Sequence, residues 1–294
     1  DQPCQIQFQS WLYARETHDL TLAPSLNEGL PERLVAATAG GLVVGPDFPS
    51  VVGLSRGLNT YRVRRVHTTD DDWFLVMDLG IFIYDSRTER TFNIASSELP
   101  SGEESEIRSI IGTADSIWVA TDRGLNRLLN NEWALVDNAT LGSEDIRDLH
   151  RDSLGRVWVA TATGLHRFVG SELDSSFENL PDLGPLTGVR DGDNGQVWVF
   201  AEQGSMLLGP DDAVIVAHSG VVAVDAGAGG TNTYLAAVDG LIRIDEGYRP
   251  YPIAQKPLGL SETNAVMPDV RQPQAFESFW AGTITFYNYD IKIF

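Results

Sequence analysis

An internal repeat of forty residues constrains this chain more than any other feature. Residues 117–128 recur as residues 157–168, and a third copy begins at Val197. The copies share a tryptophan at a constant spacing of 40 residues: Trp118, Trp158 and Trp198. Self-similarity at a fixed period of this size is typical of a solenoid, a propeller or a repeat array.

Each copy predicts a pair of β-strands joined by a tight turn. Residues 117–121 are β-branched and aromatic, with large and small side chains alternating, which suits a strand buried on both faces. Gly124 then marks a turn that needs a positive φ or a close approach of backbone. Further strands are predicted at 106–111 and 132–136, and no helical period is present. The repeat is therefore predicted to be a four-stranded antiparallel meander, as in a propeller blade.

The length of the chain sets the number of blades that we predict. Seven blades of roughly 40 residues would use nearly all of the 294 residues. We predict an all-β fold, in which residues 1–294 form one domain, a single seven-bladed β-propeller of four-stranded antiparallel blades. The turn glycines that support this count are Gly41, Gly80, Gly124, Gly164, Gly204 and Gly240, and a degenerate copy around Trp280 supplies the seventh.

A propeller must also close its ring. We expect strands from both termini to do this, with residues 5–12 completing the last blade and so removing a sheet edge. The alternative is that residues 5–12 form the first inner strand of blade one.

Composition argues against several classes of function. The formal net charge is −20, from 41 acidic and 21 basic residues, and such a surface repels nucleic acid and anionic membranes. No apolar stretch reaches 18 residues, so we predict no direct membrane span. Cys4 is the only cysteine, which fits the cytosol and a bacterial periplasm equally. The sequence begins without Met, and we expect any signal peptide to lie outside it.

The repeat resembles the two-component regulator propeller family, whose pattern runs Leu-Trp-Ile-Gly-Thr-x-x-Gly-Leu-x-Arg-Tyr. Residues 117–127 and 157–167 match it closely, whereas residues 197–207 have Ser205 in place of Leu and Leu207 in place of Arg. The resemblance implies a periplasmic sensor-type β-propeller of a signal-transduction protein that binds a saccharide. No kinase, cyclase or transmembrane region follows, so we expect an excised sensor domain or a stand-alone exported protein. Some similar propellers are lyases or assembly scaffolds, and the resemblance leaves both open.

Most other motifs favour structural interpretations. The Gly-x-Ser-x-Gly at residues 53–57 lacks the strand-turn-helix context of a hydrolase elbow, and the five histidines lack metal-type spacing. We therefore predict no catalytic residue, no metal and no cofactor. Asp191 and Asp193 alternate before a glycine, which leaves a calcium site open. The recurrence of the pattern at Asp152 and Gly155 favours a hairpin turn instead.

Arginines in the predicted innermost strands are the main candidates for a binding site. They are Arg62, Arg64, Arg108, Arg147 and Arg190. Arg62 and Arg147 stand 11 residues before the aromatic residue of their repeats, and Arg108 stands 10 before its own. Because innermost strands line the channel, we expect these side chains to converge at one mouth, where their guanidinium forks suit carboxylate or sulfate groups. The alternative is that each arginine pairs with a neighbouring acid, such as Glu106 or Asp145, as a tie between blades.

The turns between the second and third strands should border one face of the ring. We include Arg123 and Glu202 from these turns in the predicted site, and loops 100–105 and 138–144 should border a mouth too. We predict an exported ligand-binding propeller, sensor-like or a binding module, with an anionic saccharide as ligand. The alternatives are a scaffold that holds a protein partner, with residues 248–252 as its candidate surface, and a polysaccharide lyase or hydrolase.

Overall fold

The computed structural model describes residues 17–23, 33–38, 41–44, 50–52, 62–68, 72–77, 80–85, 90–102, 105–112, 116–130, 132–177, 179–229, 232–238, 240–255, 260–268 and 279–285. Over these residues the chain is an all-β propeller built from four-stranded antiparallel blades, which confirms the predicted fold type. The motifs at residues 4–12 and 53–57 lie outside the described residues.

The strands follow one another as simple meanders. The first sheet contains β1 (Thr17–Ala23), β2 (Arg33–Thr38), β3 (Gly41–Val44) and β4 (Ser50–Val52). Five regular blades follow, and the first two contain β5 (Val63–Thr68), β6 (Asp72–Met77), β7 (Gly80–Asp85) and β8 (Arg90–Ala95), and then β9 (Ile107–Gly112), β10 (Ser116–Thr121), β11 (Gly124–Leu129) and β12 (Glu132–Leu135). The next two contain β13 (Ile146–Arg151), β14 (Val157–Thr161), β15 (Leu165–Val169) and β16 (Glu172–Phe177), and then β17 (Leu186–Asp191), β18 (Val197–Ala201), β19 (Gly204–Leu208) and β20 (Val214–Ser219). The fifth contains β21 (Ala223–Gly229), β22 (Asn232–Ala237), β23 (Gly240–Ile244) and β24 (Pro250–Gln255). The last sheet contains β25 (Leu260–Pro268) and β26 (Phe279–Thr285).

Short helices lie between some of the described strands. The α-helix α1 (Asn138–Leu141) lies in the connection between the third and fourth sheets, and 3-10 helices span Ser96–Glu98 and Asp193–Gly195. The Asp137 side chain accepts a hydrogen bond from the Ala139 amide at 2.9 Å and so caps α1, which ends at Gly142 in the left-handed conformation.

The prediction of seven equivalent four-stranded blades is wrong. Five regular blades run from Val63 to Gln255, the sheet before them has shortened third and fourth strands, and β25 pairs only with β26 among the described strands. The physical reason is visible in the sequence after residue 255, which lacks the turn glycine that separates the second and third strands elsewhere.

The predicted closure of the ring by residues 5–12 lies outside the described residues and stays a prediction. The first described strand, β1, pairs with β2 in its own sheet. The first strands of successive sheets instead lie side by side, β1 against β5, β5 against β9 and so on to β25, which contacts β1. Among the described strands, the first and last sheets therefore lie against each other.

The apolar core lies between neighbouring sheets. Trp118 packs against Ile146, Leu149 and Val157 of the following sheet, whereas the adjacent Val119 packs against the preceding one. This is the alternation expected of strands that are buried on both faces. The three repeat tryptophans are at most 1% exposed, and Tyr234 takes the equivalent place on β22.

The motif arginine has a structural role in this packing. Arg127 and Arg167 stand directly across from Trp118 and Trp158, and each guanidinium carbon lies 5.2 Å from the centre of a tryptophan ring. Arg127 also donates to the Ser171 carbonyl at 3.0 Å, in the outer hairpin of the next blade. The motif therefore links neighbouring blades at their outer rims.

The turn glycines differ in what they require. Gly41, Gly80, Gly124 and Gly240 have positive φ values between 119° and 141°. A Cβ on Gly204 would lie 2.4 Å from the His218 carbonyl oxygen. The expected need for positive φ or close approach is confirmed at these places. At Gly164, however, the nearest atom to such a Cβ is His166 Nε2 at 3.8 Å, which is ordinary contact.

We predict that Gly204→Ala and Gly164→Ala have very different effects, although the positions are equivalent in the repeat. Gly204→Ala forces a Cβ against backbone and should lower the free energy of unfolding by about 1–3 kcal/mol. Gly164→Ala should change it by no more than about 0.5 kcal/mol. Urea denaturation of both variants measures this, and equal losses would contradict the steric explanation.

Candidate functional site

A register shift recurs at one place in the first strand of every four-stranded sheet. The strand carries one extra residue there relative to its neighbour, as in a β-bulge. The extra residues are His18, Arg64, Arg108, Arg147, Thr187 and Val224. Three consecutive blades thus present an arginine at the same level of the propeller.

Each of these arginines contacts an acid of the following blade. Arg64 Nη1 lies 2.7 Å from Glu106 Oε1, and Arg108 donates to Asp145 Oδ1. Arg147 Nε donates to the other oxygen of Asp145 at 2.7 Å, and its Nη1 lies 3.6 Å from Glu202 Oε1. These side chains are between 27% and 54% exposed. We call the cluster of Arg64, Glu106, Arg108, Asp145, Arg147 and Glu202 the mouth.

The turns predicted to border one face lie at this same end. The backbone amides of Asp122, Ala162 and Glu202 donate to the carbonyls of Glu106, Asp145 and Pro185, at 3.0 to 3.2 Å. The turns between second and third strands therefore adjoin the residues that lead into the first strands. This arrangement brings Arg123, which is exposed, and Glu202 to the mouth end.

A second layer lies one residue further along each first strand. Its members are Asp19, Arg65, Ser109, Asp148, Gly188 and Asp225. Two of the aspartates tie adjacent blades in the same way, since the Val66 amide donates to Asp19 and the Val189 amide donates to Asp148, at 3.0 and 3.3 Å. We call these six residues the inner layer.

Arg190 belongs to this inner layer by its contacts rather than to the mouth. Its Nη1 donates to Asp148 and its Nε donates to Asp225 Oδ1 at 2.8 Å. The Asp148 side chain is 3% exposed. A Cβ on Gly188 would lie 3.2 Å from Asp148 Oδ2, so glycine leaves space for this buried carboxylate.

The charges of the inner layer compensate for burial. Burial alone would raise the pKa of the Asp148 carboxyl, but the charges of Arg190 and Arg65, with hydrogen bonds from Arg190 and Ser109, hold that pKa below its ordinary value. Burial likewise opposes the charge of Arg190, and Asp148, Asp225 and Asp19 nevertheless raise its pKa. This network connects all six four-stranded sheets.

The predicted site residues therefore separate into groups. Arg108, Arg147, Arg123 and Glu202 lie at the mouth end, and Arg190 lies in the inner layer. Arg62 is exposed and directly precedes β5. When the first strands are aligned at their bulges, Arg62 corresponds to Glu106, whereas Arg64 corresponds to Arg108 and Arg147. Two residues of the inner layer, Arg65 and Asp148, were not predicted from the sequence. The charged residues that recur along the first strands could have indicated them.

Asp191 and Asp193, the two residues of the possible calcium site, lie in different local structures. Asp191 Oδ1 lies 3.1 Å from His150 Nε2, and Asp193 begins a 3-10 turn, where burial raises its pKa. Within the described ranges, no group of three or more His, Cys, Asp or Glu side chains is placed to hold a metal ion.

In the preceding blade Asp152 organises its hairpin turn. It accepts from the Leu154 and Arg156 amides, at 3.0 and 2.9 Å, and from Trp158 Nε1 at 2.9 Å. At Asp152 the hairpin-turn prediction is confirmed.

The far end of the first strands carries histidines. Burial, together with the neighbouring charges of His150 and Arg151, lowers the pKa of His67 to about 4, against a hydrogen bond with the Gly112 backbone that raises it. His67 stands across from Phe74, with ring centres 6.1 Å apart. His67 therefore stays neutral in the folded protein at pH values where a free histidine is charged.

Comparisons with known proteins bear on the fold. No family model matches the sequence, and a search of curated proteins finds no match. Among the part of the chain that is described, no helix is long and apolar enough to span a membrane. Solved structures do match. The extracellular domain of the putative one component system BT4673 from B. thetaiotaomicron is 15% identical with a TM-score of 0.71, and the match covers 97% of this chain and 40% of that chain.

Two further matches have unrelated names. Virginiamycin B lyase from Staphylococcus aureus is 11% identical with a TM-score of 0.67, covering 91% of this chain and 92% of that one. YCF48 from Cyanidioschyzon merolae is 13% identical with a TM-score of 0.67, covering 96% and 95%. At these identities the likeness shows the propeller fold alone. The chain spans about two fifths of the BT4673 chain, and membership of the two-component regulator propeller family stays a prediction.

We predict that the two layers differ in their contribution to stability. Asp148→Ala leaves Arg190 buried with one fewer carboxylate and should cost about 3–5 kcal/mol of unfolding free energy. Arg64→Ala breaks an exposed pair and should cost no more than about 1 kcal/mol. Urea denaturation at pH 7 compares them, and similar losses would show that the inner layer is not the stronger tie.

We also predict a loss of stability on mild acidification. Because the pKa of His67 falls from 6.5 to about 4 on folding, the unfolded chain binds a proton between these values that the folded protein does not. Stability should therefore decrease as the pH is lowered through this window, by up to about 1.4 kcal/mol per pH unit for one proton. His67→Gln should flatten the dependence of urea stability on pH. His166 and His218, whose pKa values burial also lowers, should keep some slope. An unchanged slope in the variant would contradict the assignment.

Proposed function

We propose that this protein is a non-enzymatic ligand-binding β-propeller of sensor type that acts outside the cytoplasm, and that a saccharide binds at the mouth. The observation that carries the proposal is the run of arginines at equivalent bulges, Arg64, Arg108 and Arg147, interleaved with the carboxylates of Glu106 and Asp145.

This arrangement suits the chemistry of sugars. A guanidinium only donates hydrogen bonds and a carboxylate only accepts them, whereas a sugar hydroxyl does both. Charged partners also make stronger hydrogen bonds than neutral ones. Because the side chains already hold one another, little rotamer freedom is left to lose when a ligand binds. A partly exposed row of alternating donors and acceptors therefore supports recognition of a polyhydroxyl ligand.

The proposed location and sensory role draw on the structural neighbours. The matching domains of BT4673 and BT3049 are extracellular parts of putative one-component or hybrid two-component systems. The BT3049 domain is 14% identical to this chain with a TM-score of 0.60. Both of those chains are much longer than the part that this chain matches. We propose by analogy that this propeller is exported and supplies a binding surface to a signalling process.

An enzyme is the second candidate, since the chain also covers nearly all of a lyase. The carboxylates available at the mouth are Glu106, Asp145 and Glu202, and each lies against an arginine. Analysis of products after incubation with each bound saccharide separates this candidate from simple binding.

A protein scaffold has less support in the structure. Large apolar side chains are exposed on outer strands of separate blades, such as Phe92 on β8, Leu135 on β12 and Tyr251 on β24. In the predicted surface at residues 248–252, the Tyr248 hydroxyl accepts from Gln196 at 3.1 Å and Arg243 lies over the ring of Tyr251. Both contacts hold the edge of a blade.

We predict that a thermal-shift screen with neutral and acidic oligosaccharides finds a ligand. A ligand at 100 times its dissociation constant stabilises the folded state by about 2.7 kcal/mol. The double variant Arg108→Ala/Arg147→Ala should lose this shift and keep a melting temperature near that of the parent, because exposed pairs contribute little. Arg249→Ala, which removes an exposed arginine away from the mouth, is the control. A large fall in melting temperature of the double variant would instead support a purely structural tie.

A further inference from the structure

One sector of the mouth carries a positive charge that is only loosely compensated. Arg108 and Arg147 come from neighbouring blades, and they share the two oxygens of a single carboxylate, that of Asp145. Arg64, by comparison, has Glu106 at 2.7 Å, and Arg190 has two carboxylates, those of Asp148 and Asp225. The sector of Arg108, Asp145 and Arg147 therefore has two positive charges and one negative charge.

Glu202 is the acid that approaches this excess charge. Its Oε1 lies 3.6 Å from Arg147 Nη1, which is too long for a hydrogen bond, and its side chain is 50% exposed. Glu144 is also exposed, and it enters no ion pair among the described residues. Glu202 thus stands beside the guanidinium without being bound firmly to it.

Arg147 is held in place from its other side. Its Nε donates to Asp145, whose own backbone is fixed because its amide donates to Ser143 Oγ at 3.1 Å and its carbonyl accepts from the Ala162 amide at 3.0 Å. The hydrogen bond to Asp145 uses only Nε, so the two terminal nitrogens can take other partners. A guanidinium presented in this way can bind a planar oxyanion through two parallel hydrogen bonds.

We propose that Arg147 binds one oxyanion of the ligand, a carboxylate or sulfate carried by a saccharide, and that Glu202 stands in for this group in the free protein. Asp145 is the positioning residue that holds Arg147 and Arg108 together. Binding exchanges a weak, exposed internal contact for a closer one from the ligand, so Glu202 competes with the ligand and sets its affinity. This inference rests on the proposed function, because it names the charged group recognised at the same mouth.

The test uses three monosaccharide probes on the whole chain. They are galacturonate, its uncharged methyl ester and galactose 6-sulfate. Binding is followed by the NMR signals of the arginine Nε–H groups, which report directly on Arg108 and Arg147. Galacturonate should shift the Arg147 signal and bind more tightly than the ester, and a tighter galactose 6-sulfate would identify sulfate as the preferred source of the oxyanion. Arg147→Ala should weaken binding of the charged probes by roughly tenfold or more.

Glu202→Gln provides the decisive result, because it is expected to bind more tightly than the parent. Removing an exposed competing charge should improve affinity for the charged probes by about two- to fivefold and leave the ester unaffected. Glu144→Gln removes the same charge from the adjacent loop and should change affinity little. The proposed displacement of Glu202 by the ligand would be overturned if Glu202→Gln bound the charged probes more weakly than the parent. It would also be overturned if both variants gained the same affinity.

The outcomes also separate this inference from the proposed function. Equal binding of galacturonate and its ester at the mouth would overturn the oxyanion site and leave a saccharide-binding mouth standing. If neither charged probe shifts the Arg108 or Arg147 signal, the oxyanion site is overturned. The proposed function is overturned only if the oligosaccharide screen finds no ligand.

Discussion

The register shift in each first strand decides where charge lies in this propeller. In a regular strand, consecutive side chains point to opposite faces. At the bulge, Arg147 and Asp148 are consecutive, yet each contacts the blade that follows: Arg147 approaches Glu202, and Asp148 accepts from the Val189 amide. The extra residue therefore lets one strand supply a side chain to the mouth and another to the inner layer. Repetition of the shift in six sheets turns this local feature into two stacked layers.

The two layers obey different energetics although both consist of arginine and carboxylate. In the inner layer the charges are buried, so losing one partner exposes the other to the full cost of desolvation. At the mouth, water screens the same pairs and each contributes little to stability. Weak internal pairs can be exchanged for contacts with a ligand, whereas buried pairs cannot. This difference is why Arg190, although it stands in an innermost strand as predicted, is a poor candidate for ligand contact.

The repeat period was sufficient to predict the fold type but not its full arrangement. Trp118, Trp158 and Trp198 define strands whose burial follows from residue type alone, and these predictions are confirmed. The number of equivalent blades was wrong because it was extrapolated from the central copies to a C-terminal region without the turn glycine. Strand β1 was missed because Thr17–Ala23 carries His18 and Asp19, polar residues that are common in loops.

The depth of the arginines could not be predicted because a bulge has no distinct sequence signature here. Counting back from the repeat tryptophan placed Arg62 with Arg147, whereas the register aligns Arg64 with Arg147 and with Arg108. This difference of two residues moves the side chain by about 6–7 Å along the strand. The choice between a ligand site and a tie between blades also depended on distances across blades, which no spacing rule in one sequence supplies.

The overall charge of the protein limits how an anionic ligand could be recognised at this mouth. With a net charge of −20, the long-range field opposes the approach of an anion. Attraction must come from contacts within a few ångströms of Arg108 and Arg147, where the excess positive charge is local. At an ionic strength of 0.1 M, charges are screened beyond about 10 Å, so salt would remove the distant repulsion before it removes these contacts. Selectivity at such a site would therefore come from geometry at the guanidinium groups rather than from electrostatic steering.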